Sequence, residues 1–120
     1  VTAFFPNGAK DRVVAGAKAE ALFGGYREGR FGYDIPMPDG RWLVTLSFFE
    51  PTETAAGKRT FAVRANGKVV LASVDPFALA GGSLKAVERS FPVTVQGGRL
   101  SLSFEPGKGP AIVSAIEITR

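Results

Sequence analysis

Apolar and polar residues alternate with period two along most of the chain. In "RWLVTLSFF", Trp42, Val44, Leu46 and Phe48 fall on one side, and Arg41, Leu43, Thr45 and Ser47 on the other. Successive side chains of an extended strand point to opposite faces, so this pattern predicts a strand with one buried face. "RFGYDIPM" places Phe31, Tyr33 and Ile35 on one face, and Pro36 and Pro38, which lack an amide donor, end it. Asp39-Gly40 then predicts a tight hairpin turn, because glycine accepts positive φ at little cost. "TFAVRA", Asn66-Gly67 and "KVVLA" predict a second hairpin, with the Asn-Gly pair that type I′ turns favour. "SFPVTV", Gln96-Gly97-Gly98 and "RLSLSFE" predict a third. Its apolar faces are Phe91, Val93, Val95 and Leu100, Leu102, Phe104. "AIVSAIEIT" predicts a closing strand, with Ile112, Ile116 and Ile118 sharing a face with Ser114.

Two segments break the alternation. "VDPFALAGG" predicts a short helix: Asp75 caps it, Pro76 fits its first turn, and Gly81-Gly82 stop it. Residues 1–29 are less periodic. "VTAFF" reads as a first strand, ended by Pro6-Asn7-Gly8, and "AGAKAEALFGG" as one helical turn at most between its glycines. Roughly seven strands at intervals of roughly ten residues, joined by turn chemistry, predict an all-β fold: an antiparallel β-sandwich or jelly roll with one short helix. With no internal repeat or linker, residues 1–120 read as one domain.

Composition narrows the chemistry. At 120 residues and 45% hydrophobic, the chain can bury one core without metals or disulfides. It has no Cys and no His, which removes Ser-His-Asp and Cys-His arrangements and the commonest metal ligand. No metal or cofactor motif is present, so none is expected. The net charge of +4 comes from scattered Lys and Arg, without the cluster that nucleic-acid binding needs. No apolar run approaches the ~20 residues of a membrane-spanning helix. The start at Val1, without a charged and then apolar leader, reads as a mature chain or as a fragment of a longer protein.

Candidate functional residues lie in "GGYREGRF" and "FFEPTETAAGKRTF". Tyr26 stands in a Gly-rich loop among Arg27, Glu28 and Arg30. An exposed ring among hydrogen-bonding groups suits the flat C–H face of a sugar, while a ring tucked over the sandwich end is the structural alternative. Glu50 ends an apolar strand; it either bonds backbone amides at the loop entrance or forms the polar rim of a ligand groove. Asp75 reads first as an N-cap. Paired carboxylates serve glycoside hydrolysis, but most acids here sit at turns and strand ends, where surface acids are expected.

The ordered series "FGYDIPMPDG", the strand ending in Phe48-Phe49-Glu50, "FAVRANGKVV", "DPFALAGG" and the final "SAIEI" resembles a malectin-type domain over residues 20–119. It most resembles the bacterial version at the C-terminal end of glycoside hydrolases, notably family 2 β-galactosidase-like enzymes. The resemblance implies a malectin-like jelly-roll sandwich that binds carbohydrate through end loops and is not itself catalytic. It implies an accessory module of a longer, secreted or periplasmic bacterial hydrolase. The partners implied are an oligosaccharide or polysaccharide and the catalytic module, with no nucleic acid and no membrane. A ligand-free module that packs on or orients the catalytic module is the alternative. Tyr26 matches one aromatic ligand of animal malectin, whose sugar is diglucose-like. The family's aromatic pair falls at Thr52 and Glu53, and its ligand aspartate near Lys108-Gly109, so those rings and that acid are absent. The expected carbohydrate-contacting set is therefore Tyr26, Arg27, Glu28, Glu50, Thr52, Glu53 and Lys58.

Overall fold

A computed structural model describes residues 2–4 and 26–120. The strands are β1 (Thr2–Phe4), β2 (Arg27–Gly29), β3 (Phe31–Pro36), β4 (Gly40–Phe48), β5 (Thr60–Ala65), β6 (Lys68–Val74), β7 (Val87–Val95), β8 (Arg99–Lys108), β9 (Ala111–Val113) and β10 (Ala115–Thr119). Among the described residues one helix, α1 (Pro76–Ala80), follows β6. The possible helical turn in 15–25 lies outside the described residues. The strands form one sheet in the order β1-β10-β4-β7, a second in the order β3-β8-β5-β6, and a short β2-β9 pair. All the pairings are antiparallel.

The alternating positions supply the core. Val44, Leu46, Phe48, Phe91, Val93 and Val95 from the first sheet join Phe31, Phe61, Val63, Leu100, Leu102 and Phe104 from the second in one buried cluster. Phe31 stacks on Phe104 with centroids 4.6 Å apart, and Phe48 meets Phe61 edge-on at 5.7 Å. Each such buried side chain contributes about 1.5–3 kcal/mol relative to exposure. Trp42, expected on the core face, is half-buried against the cluster; its indole N–H donates to the Pro38 carbonyl at 3.0 Å and Arg120 lies over its ring.

The Asn66-Gly67 hairpin forms between β5 and β6, with both residues at positive φ. Asn66 also accepts the Ser101 amide on its side-chain oxygen. The helix forms as expected: Asp75 accepts the Ala78 amide, Pro76 enters the first turn, and Gly81 closes it at φ 79°.

The other two predicted hairpins are not hairpins. β3 and β4 lie in different sheets, as do β7 and β8. Residues 37–39 and 96–98 cross between the sheets side by side. The Met37 amide donates to the Gly98 carbonyl, and the Gly98 amide donates to the Asp39 carboxylate at 2.8 Å. Both sheets of a sandwich bury one face, so period two marks the inward side of a strand but not the sheet it joins. The closing strand is also interrupted. Ser114 donates both its amide and its hydroxyl to the Ser47 carbonyl, separating β9, paired with β2, from β10, paired with β1 and β4.

Candidate functional site

Glu50, two residues beyond Phe48, ends an unbroken buried run that starts at Leu46. The alternation that buries Phe61 buries Arg59, two residues back. These opposite charges meet inside the end of the sandwich. Arg59 Nε donates to Glu50 Oε1 at 2.7 Å, and Arg59 Nη2 to Glu50 Oε2 at 3.1 Å. Nη2 also pairs with Glu28 Oε2 at 2.8 Å, and Nη1 donates to the Pro110 carbonyl at 3.0 Å. The planar guanidinium presents donors in several directions, and here it joins the end of β4, the strand β2 and the turn before β9. Burial pulls the Arg59 pKa down, but the hydrogen bonds and charges of Glu50 and Glu28 outweigh it and leave it raised.

Glu50 has no exposure. Besides Arg59 it accepts the Thr52 and Glu53 amides, each at 3.2 Å. Its carboxylate therefore holds the loop entrance rather than rimming a groove. Glu28 is different: its side chain is 37% exposed, so it presents a carboxylate edge to solvent while anchored to Arg59. These two carboxylates share one guanidinium, and Glu50 is closed off from solvent. The arrangement does not offer the accessible acid and base of a glycosidase.

The remaining expected residues divide. Tyr26 is half-buried and meets the buried Phe49 ring edge-on at 5.7 Å, which is the tucked alternative with part of the side chain still in solvent. Thr52 is exposed, its hydroxyl 3.5 Å from Arg59, and Glu53 is half-buried. Lys58 is exposed at the end of the loop. Arg27 alternates away from Glu28 and spreads over the Phe31 and Tyr33 rings, 5.2 Å from each centroid, so it leaves the group. The loop is braced at its far side as well, where Asp75 accepts the Gly57 amide at 2.6 Å.

The turn at 107–110 forms the third wall. Lys108 donates its amide to the Thr60 hydroxyl at 3.2 Å. A Cβ on Gly109 would lie 3.1 Å from the Lys58 carbonyl, and its φ of +66° belongs to the left-handed region that glycine favours. This is the place where the resemblance puts an aspartate. Arg59 and the Pro110 carbonyl, which organise the site, were not among the expected residues.

The fold and this end-loop constellation define a class: a small antiparallel β-sandwich whose loops are clamped together at one end. The family model described as the Malectin domain matches residues 7–119, and the chain belongs to that family. It is 33% identical to Malectin-B of Xenopus laevis over 81 residues, covering 67% of this chain and 29% of that protein. Human malectin is likewise 33% identical over 81 residues, covering 67% of this chain and 27% of that protein. The chain thus spans less than a third of the length of these relatives. In fold it resembles a Bacteroides uniformis β-glucuronidase, with a TM-score of 0.76 at 21% identity over 94% of this chain and 13% of that one. It also resembles the ANX2 ectodomain of Arabidopsis thaliana, with a TM-score of 0.76 at 14% identity over 98% of this chain and 39% of that one.

Proposed function

We propose that this domain is a non-catalytic carbohydrate-binding accessory module of a secreted or periplasmic bacterial glycoside hydrolase, and that it holds a glycan weakly through its end loops. One observation carries this reading. The three segments that the malectin resemblance marks as ligand loops, at Tyr26, at Thr52-Glu53 and at Lys108-Gly109, converge around the single buried Arg59. In this reading the solvent-accessible part of Tyr26 meets a sugar ring, and Glu28, Thr52, Glu53 and Lys58 bond hydroxyls around it. Glu50 and Arg59 position these groups without touching the ligand. Amide chemical shifts followed during titration with a panel of neutral plant and bacterial oligosaccharides test it. Saturable shifts at Tyr26–Gly29 and Thr52–Glu53, lost in Tyr26→Ala, are expected. No shift with any sugar would overturn the binding role.

The second reading is a ligand-free module that packs on or orients the catalytic module. Leu79 and Leu84, exposed at 39% and 60%, support it, because they put apolar surface in water around α1. Protection of the Leu79 and Leu84 amides on adding the catalytic module in trans, with no sugar response, would favour it.

A further inference from the structure

A groove of about 230 Å³ opens where β6, the edge of one sheet, parts from β7, the edge of the other. It is separate from the end-loop constellation, since the two share no residue. Its floor is apolar: Val93 and Ala65 are buried core residues and Val70 is half-buried. Its rim carries Arg41, Lys68 and Thr94, all exposed, and among the described residues no acidic side chain lines it. Arg41 and Thr94 face each other across the β4–β7 ladder. Among the described residues, neither Arg41 nor Lys68 forms an ion pair or a side-chain hydrogen bond. Arg59, Arg64 and Arg99 are each paired with a carboxylate. Two unspent cations over an apolar floor form a recognition surface for an anion carried on an apolar plate. A guanidinium binds a carboxylate in bidentate fashion, an ammonium adds a point charge, and a threonine hydroxyl bonds a sugar hydroxyl. The volume lies below the usual range of drug-sized pockets, about 300–1,000 Å³, and so suits one ring rather than a chain.

We infer that this groove binds one uronic acid residue of an acidic saccharide, with the carboxylate between Arg41 and Lys68 and the ring C–H face on Val93, Ala65 and Val70. The ligand class rests on the carbohydrate-binding reading; the site does not. The test follows amide shifts of the domain during titration with a diuronic acid, with its neutral disaccharide counterpart and with sodium sulfate. The diuronic acid is expected to shift the Lys68–Val70 and Val93–Thr94 amides saturably, and more weakly as ionic strength rises. Arg41→Gln and Lys68→Gln are each expected to weaken this binding roughly fivefold to tenfold, while the rest of the spectrum reports an intact fold. The neutral sugar and sulfate are expected to leave these amides in place. No saturable shift, an equal response to sulfate, or unchanged binding by both variants overturns the inference. Neutral sugars that shift Tyr26–Gly29 while the diuronic acid leaves the groove silent sink this inference alone. Groove binding with silent end loops sinks the end-loop reading alone.

Discussion

Replacing Arg59 by methionine keeps much of its volume and removes every donor. Glu50 would then lie fully buried with only the Thr52 and Glu53 amides, and Glu28 would lose its anchor. Removing one partner of a buried pair costs about 3–5 kcal/mol, chiefly because the other charge stays behind uncompensated. Glu28 adds little, since a carboxylate so exposed is worth about 0–1 kcal/mol to a pair. For a domain of this size, 1 kcal/mol moves Tm by roughly 3–5 °C, so Arg59→Met should lower Tm by roughly 10–20 °C. Arg59→Met combined with Glu50→Leu removes both buried charges and should recover most of that loss. Glu28→Gln alone should cost less than about 1 kcal/mol. The raised Arg59 pKa keeps the guanidinium charged at every pH below the ordinary arginine range. Its contribution is lost only as pH rises through the raised value. The Tm gap between wild type and Arg59→Met should therefore stay constant from about pH 6 to about pH 9. Calorimetry or thermal circular dichroism measures all of this. An Arg59→Met loss under about 1 kcal/mol, a double variant no better than the single, or a gap that closes toward pH 9 would refute the reasoning.

Two further substitutions probe the frame that holds the site. Gly32→Ala would put a Cβ 2.8 Å from the Leu102 carbonyl, where β3 lies against β8, and should cost about 1–3 kcal/mol in urea denaturation. A neutral outcome would mean that β3 is free to shift. Asp75→Ala removes both the helix cap and the Gly57 anchor and should cost about 1–2 kcal/mol, while Asp75→Asn, which retains the cap, should cost less. Equal losses would place the value of Asp75 in its bond to Gly57 rather than in the cap.

The strands and their inward faces were legible where one face is buried and the other is wet, as in Phe91 to Val95 and Leu100 to Phe104, where burial itself follows period two. Strand partners were not legible. Asp39-Gly40 and Gln96-Gly97-Gly98 carry turn chemistry that serves a crossover between sheets as readily as a hairpin within one, and what decides is the Gly98 contact with Met37 and Asp39, far away in sequence. Asn66-Gly67 was legible because two residues at positive φ fit the twist of adjacent strands. At the site, Tyr26 and the 48–61 loop stood out by residue type, whereas Arg59 did not, since arginine is rarely buried. Part of a signal was nonetheless present: carrying period two back from Phe61 sends Arg59 inward, whereas the chain from Leu46 to Glu50 is buried throughout and no period marks Glu50.

That buried ion pair is a poor source of net stability, because apolar side chains of similar volume would fill the same space at comparable or lower free energy. What an apolar filler lacks is direction. It packs against whatever surrounds it, whereas a guanidinium fork is satisfied only when Glu50, Glu28 and the Pro110 carbonyl stand at bonding distance from its separate nitrogens. Glu50 carries the constraint onward, since the oxygen that meets Arg59 Nη2 also fixes the Thr52 and Glu53 amides. The loop between Phe48 and Phe61 is thus registered from inside the sandwich, and Thr52, Glu53 and Lys58 are left at or near its surface. Binding groups held in place in this way lose less freedom when a ligand arrives. In the proposed carbohydrate-binding role, this pre-registration takes the place of stacking rings, which the loop lacks and which Tyr26, half-committed to Phe49, supplies only in part.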